Sequence, residues 1–157
     1  MAKNLPLEDR LRLQNLAEFR YELRRFLQFS ESCSAEAGLH PQQHQLLLHL
    51  AGAPDDVETT VSYAAERLGL RHHTVVELSK RCEEAGLIHR NQDLNDRRRI
   101  QLQVTAQGQR VLRVLSEDHE RELNELGPRL IRALSRIRRP EKRPTSDHGS
   151  TAIVHGD

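Results

Sequence analysis

The side chains with most to offer chemically are cationic and polar rather than nucleophilic. Arg97, Arg98 and Arg99 stand in a row behind Asp96, and His72, His73, Thr74, Glu77 and Arg81 recur at a spacing that falls on one side of a helix. Guanidinium groups and short polar side chains of this kind suit phosphates and base edges. Asp96, two residues before Arg98, is placed to orient that guanidinium by a forked ion pair. The whole chain carries a formal charge of only +1, yet between Ile88 and Arg113 six arginines meet two aspartates. A local excess of that size points to a contact with a polyanion at one place on the molecule.

Other reactive residues are weaker candidates. His40 and His44, four residues apart, could share a helix face with Cys33 and Glu36 nearby in sequence, but they do not close a ligand set, and no metal is assigned. Cys33 as an oxidation sensor would need a lowered pKa, whereas Glu31 and Glu36 beside it push the thiol up. Cys82 falls where a helical pattern wants an aliphatic residue and is read as core. The two cysteines lie far apart with no CxxC pattern, so free thiols are expected. There is no Gly-rich phosphate loop, no GxSxG and no HExxH, so neither an enzyme nor a cofactor is expected.

The elements that must position these residues are mostly helical. Leu7, Leu11, Leu16, Phe19, Leu23, Phe26 and Leu27 mark a long amphipathic first helix, stopped near Gly38. Pro41 opens a short helix carrying Leu46, Leu47, Leu48 and Leu50 to Gly52, and AGAPDDVETT is a loop. Thr60 and Ser62 offer N-cap oxygens for a helix of about two turns ending at Gly69. A second helix follows, with Val75, Leu78, Cys82 and Ala85 inward and Gly86 as its stop. Helix, Gly-containing turn and helix together form a helix-turn-helix.

Beyond it, Leu87 to His89 and the alternation of Ile100, Leu102 and Val104 predict a β-hairpin with the arginines in its polar tip. A helical period then returns at Leu112, Leu115, His119, Leu123 and Leu126, is interrupted at Gly127-Pro128, and resumes through Leu130, Leu134 and Ile137. Two final helices are therefore expected. From Pro140 on there is little to bury, so residues 139–157 are read as a disordered tail.

This order of elements resembles the MarR family of bacterial transcriptional regulators over roughly residues 8–138. LHPQQHQLLLHL is similar to its second helix, VSYAAERLGL to its third, and TVVELSKRCEEAGLIHR to its recognition helix and first wing strand. The most specific string is DRRRIQLQVTAQG, whose Asp96, Arg98, Leu102, Val104, Thr105 and Gly108 match the family's wing pattern. Two positions depart from it: Arg71 stands where a capping Ser, Thr, Asp or Asn is usual, and Glu77 where Arg is frequent.

The resemblance implies a mainly α fold with a small β-wing, a winged helix-turn-helix dimerising through its N- and C-terminal helices. Residues 1–138 would form the domain, with 7–37 and 108–138 as dimerisation helices and 39–105 as the DNA-binding lobe. It further implies a homodimeric, ligand-responsive repressor on a pseudo-palindromic operator in double-stranded DNA, with a small aromatic or phenolic effector bound between lobe and dimerisation helices. The DNA-binding set is then His72, His73, Thr74, Glu77, Arg81, Arg97, Arg98 and Arg99, with Asp96 orienting the wing. The sequence has no membrane-length apolar run and no signal-peptide core in MAKNLPLEDR, so a cytoplasmic protein without membrane contact is expected. The alternative is a winged-helix protein–protein interaction module without specific DNA binding, against which the arginine-rich wing argues.

Overall fold

The computed structural model describes residues 5–93, 96 and 99–137. Along the chain come α1 (Leu7–Glu36), α2 (Pro41–Ala51), α3 (Val61–Leu68), α4 (His72–Glu84), β1 (Ile88–Gln92), β2 (Ile100–Val104) and α5 (Ala106–Ile137). The architecture is mainly α with a two-stranded antiparallel wing, as the sequence predicts. The tail assigned to residues 139–157 lies outside the described residues. No helix among the described residues is long and apolar enough to cross a membrane.

Local chemistry sets the helix boundaries. α2 begins on Pro41 after an N-cap at His40, whose Nδ1 accepts from the Gln42 N–H at 3.3 Å, while its own N–H donates to Gln43 Oε1 at 3.0 Å. Histidine thus fills the place usually taken by a hydroxyl in a capping box. Thr60 Oγ1 caps α3 through the Tyr63 N–H at 3.2 Å, and Gly69 ends it at φ 63°, a left-handed conformation that favours glycine.

The core lies inside the lobe. Leu46, Leu47 and Leu50 of α2, Val61 and Ala64 of α3, and Val75, Leu78 and Cys82 of α4 pack with Leu87, Ile88 and Leu102 of the wing. Ala85, expected to face inward, is instead the exposed C-cap of α4, because the helix ends there and Gly86 turns the chain into β1. Ser79 is buried in the same helix, with its hydroxyl donating to the Val76 carbonyl at 2.8 Å.

Leu112 and Leu115 of α5 also belong to this core. The sequence reading gives both to a subunit interface, but the first turns of α5 cross α2 and β2 and bury them within their own chain. A second difference concerns Pro128, which lies inside one continuous 32-residue helix rather than between two. Pro128 removes the N–H that would reach the Asn124 carbonyl, and its ring crowds that carbonyl. Leu126 and Ala133, on either side of it, are both buried on a helix that packs mainly against α1, so packing holds the helix through the missing bond.

The strands pair from Ile88 opposite Val104 to Gln92 opposite Ile100. The loop before α3 adds a third edge: Thr59 accepts the Leu102 N–H at 2.7 Å and returns its hydroxyl to the Leu102 carbonyl at 2.7 Å. The wing is thereby clipped to the start of the helix-turn-helix.

Candidate nucleic-acid interface

α4 divides into two faces. Val75, Leu78 and Cys82 are completely or almost completely buried, whereas His72, His73, Glu77 and Arg81 are exposed and Thr74 is half-buried. The polar residues singled out in the sequence therefore lie on the outer side of a helix whose other side is fixed by the core. Arg71, its N-cap, makes no side-chain capping bond.

Lys80, absent from the sequence-predicted set, joins this face. Its Nζ donates to Glu77 Oε1 at 2.7 Å, with both side chains exposed. That hydrogen bond and the ammonium charge, supported by Arg81 and Arg90, lower the Glu77 pKa. The Glu-x-x-Lys spacing was the available signal, since residues three apart meet on a helix surface.

The wing residues have different surroundings. Arg99 lies at the loop end of the hairpin, just before β2, where its guanidinium pairs with Glu58 of the loop before α3. Glu58, Thr60, Ser62, His72 and Arg99 line a depression of about 280 Å³ that joins wing, α3 and α4. Asp96 donates its backbone N–H to Asp93 Oδ1 at 3.3 Å, and its carbonyl accepts the Arg99 N–H at 2.8 Å. Arg97 and Arg98, and with them the fork expected between Asp96 and Arg98, lie outside the described residues. Arg90 is structural: Glu83 Oε1 accepts its backbone N–H at 3.0 Å, and Glu83 Oε2 lies 3.7 Å from its guanidinium, tying β1 to α4.

The remaining candidates take structural places. His44 is buried, with its Nδ1 3.1 Å from Ser34 Oγ, and burial followed by the neighbouring His119 lowers its pKa to about 4. His40 caps α2, so the pair does not converge. Among the described residues no group of three or more His, Cys, Asp or Glu could hold a metal ion. The Cys33 thiol is pushed up by burial first, then by Asp118, Glu36 and Glu122. Glu31 is not among these causes; two of the carboxylates come from α5, which sequence distance concealed. Burial pushes Cys82 up to about 11.

A short helix, a glycine turn, an outward-facing second helix and a clipped hairpin define a winged helix-turn-helix. Residues 37–99 match the model of the MarR family. No curated protein matches the sequence. A MarR family protein from Bacillus stearothermophilus is similar in structure, with a TM-score of 0.63 at 20% identity over 83% of this chain and 96% of that one. The S. aureus MepR–DNA complex aligns with a TM-score of 0.57 at 21% identity, covering 76% and 98%. Bordetella bronchiseptica BpsR, whose DNA binding is regulated by 6-hydroxynicotinic acid, aligns with a TM-score of 0.56 at 17% identity, covering 68% and 79%. The winged lobe thus carries the MarR family pattern, and the chain has the fold shared by these proteins.

Proposed function

We propose that this chain is a sequence-specific, DNA-binding transcriptional regulator that acts in the cytoplasm as a homodimer. The observation that carries the reading is α4: its apolar side is locked into the lobe while His72, His73, Glu77, Lys80 and Arg81 stand exposed, beside a hairpin clipped to the same lobe. A rigid helix of this kind suits a major groove, and the arginines of the wing suit the adjacent minor groove. Matching MarR-fold structures in complex with DNA support it.

The dimer follows from what a single chain leaves uncovered. Leu11, Leu23 and Leu27 of α1 and Leu123, Ile131 and Leu134 of α5 are exposed, more apolar surface in one region than a soluble monomer tolerates. Pairing these faces across a two-fold axis presents two α4 helices to half-sites about one helical turn apart on a pseudo-palindromic operator.

The protein acts as a repressor released by a small aromatic or phenolic effector. Such an effector works only by binding more tightly to a dimer whose α4 helices are wrongly spaced than to the DNA-competent one. The seam between the lobe and α1 and α5 is the place where spacing would be set, and the regulation of BpsR by an aromatic acid supports this class of ligand.

Selection of bound fragments from genomic DNA, followed by gel shifts of the recovered sequences at several salt concentrations, tests the reading. Enrichment of a two-fold-symmetric sequence whose affinity falls steeply with salt is expected. A folded protein that shifts no duplex at low salt would return the wing to the role of a protein–protein connector.

A further inference from the structure

The ion pair on α4 sits at the middle of the exposed face. Glu77 is the sixth of thirteen helical residues, with His73 one turn before it and Arg81 one turn after. A lone carboxylate there would oppose the phosphates flanking a groove, but the Lys80 ammonium 2.7 Å away makes the two a locally neutral unit. Neutrality is not inertness. The carboxylate retains acceptor sites beyond the one used by Lys80, and the ammonium retains two of its three donors. An acceptor and a donor are thus displayed side by side on a surface with no other assigned partner for either.

We infer that Glu77 and Lys80 together read one C·G base pair in the major groove, an assignment that rests on the DNA-binding function proposed above. At its major-groove edge this pair sets the cytosine N4 donor beside guanine O6, with guanine N7 beyond, so one donor lies at the end of two adjacent acceptors. Glu77 meets the donor and Lys80 the acceptors. An A·T pair fits less well, because adenine N6 is flanked on both sides by acceptors, N7 and thymine O4, which a carboxylate would oppose. Where the carboxylate faces thymine it finds only an acceptor and a methyl group. Arg81, one turn away, supplies charge for the adjoining backbone without specifying a base.

Binding-site selection with the full-length wild type, Glu77→Gln and Lys80→Ala tests this, with circular dichroism confirming that both exposed substitutions leave the fold intact. The wild type should enrich an invariant C·G pair at one position of each half-site, and replacing it should lower affinity about tenfold or more. Glu77→Gln should move that position alone towards A·T, since a side-chain amide matches adenine N6 and N7. Lys80→Ala should relax the same position and no other. Selection of the wild-type operator, unchanged at every position, by both variants would overturn the base-pair assignment while leaving DNA binding in place. A wild-type protein that enriches no sequence would overturn both.

Discussion

His44 of α2 and His119 of α5 face each other across the seam between the winged lobe and the long helices, with ring centroids 5.0 Å apart and planes tilted by 40°. The Ser34 hydroxyl fixes the tautomer of His44. The Ser34 hydroxyl spends its proton on the Ser30 carbonyl at 2.7 Å, so it accepts from His44 Nδ1. His119 Nδ1 donates to the Leu115 carbonyl, which can only accept, and its Nε2 lies 2.7 Å from the Ser30 hydroxyl. Phe26 and Phe29 close the site edge-on to His119. These contacts join α1, α2 and α5.

This geometry makes folding stability depend on pH in a defined direction. His44 is held neutral by burial and by His119, with its pKa lowered from 6.5 to about 4. The unfolded chain takes up a proton below pH 6.5 that the native site refuses. The contribution of His44 is therefore complete above pH 6.5 and is lost as pH falls towards 4, at roughly 1.4 kcal/mol per pH unit and about 3 kcal/mol in all. Urea denaturation at fixed protein concentration from pH 7.5 to 4.5 measures it. His44→Asn, which keeps a donor for Ser34 without the titratable ring, should flatten the profile by that amount. Parallel profiles for the two proteins would show that the seam does not take up the proton.

The join between wing and α5 is held by Thr105 and by the space at Gly108. Thr105 donates its hydroxyl to the Gly86 carbonyl at 2.7 Å, accepts the Gly108 N–H at 3.0 Å, and sends its own N–H to the Leu87 carbonyl at 3.0 Å. A Cβ at Gly108 would run into the Leu87 carbonyl and lie 2.8 Å from Val104 Cγ1. Gly108→Ala should cost about 1–3 kcal/mol, because the obstacle is backbone that cannot swing away. Thermal unfolding tests it, and an unchanged midpoint would mean that the wing can lift off α5 freely.

That join also explains why the wing pattern was legible in sequence. Thr105 and Gly108 are demanded by hydrogen-bond geometry and by space, and Leu102 by its burial, so their identities announce the fold. The helix-turn-helix was equally readable, since Thr60, Gly69 and Gly86 punctuate it. What sequence missed was set by tertiary packing. Leu112 and Leu115 follow the same helical period as Leu123 and Leu134, and only the crossing of α5 over the lobe separates core from exposed surface. Pro128 carries a local instruction to stop that the packing of α1 against α5 overrides. Glu58 and Arg99 are 41 positions apart, and their pairing depends on the loop before α3 lying along β2.

The Glu58–Arg99 pair separates the arginines by role. Arg81 is exposed on α4, whereas the Arg99 charge is offset by Glu58. Arg81→Ala should lower affinity for all duplexes and reduce the salt slope by about one unit. Arg99→Ala should change that slope by clearly less. Titrations of a selected operator at four or five salt concentrations distinguish them, and equal losses of slope would show that Arg99 leaves Glu58 for phosphate in the complex.

The proposed two-fold operator depends on assembly of two chains. Leu134 is 45% and Ile131 66% exposed on α5, and Leu11 is 49% exposed on α1, none with enough cover from its own chain. Sedimentation at micromolar concentration should therefore give about twice the chain mass of 18.1 kDa. A leucine fully buried at an interface contributes about 1.5–3 kcal/mol, and a two-fold axis uses each position twice, so Leu134→Glu should raise the dimer dissociation constant about a hundredfold or more. The substitution lies on the surface of the isolated chain, so the lobe should keep its helical signal while the dimer dissociates. DNA affinity should fall with it, since two half-sites held together bind far more tightly than one. A Leu134→Glu protein that still sediments as a dimer would move the interface to another face, and one that sediments as a monomer yet binds its operator undiminished would remove the two-fold operator from the proposed function.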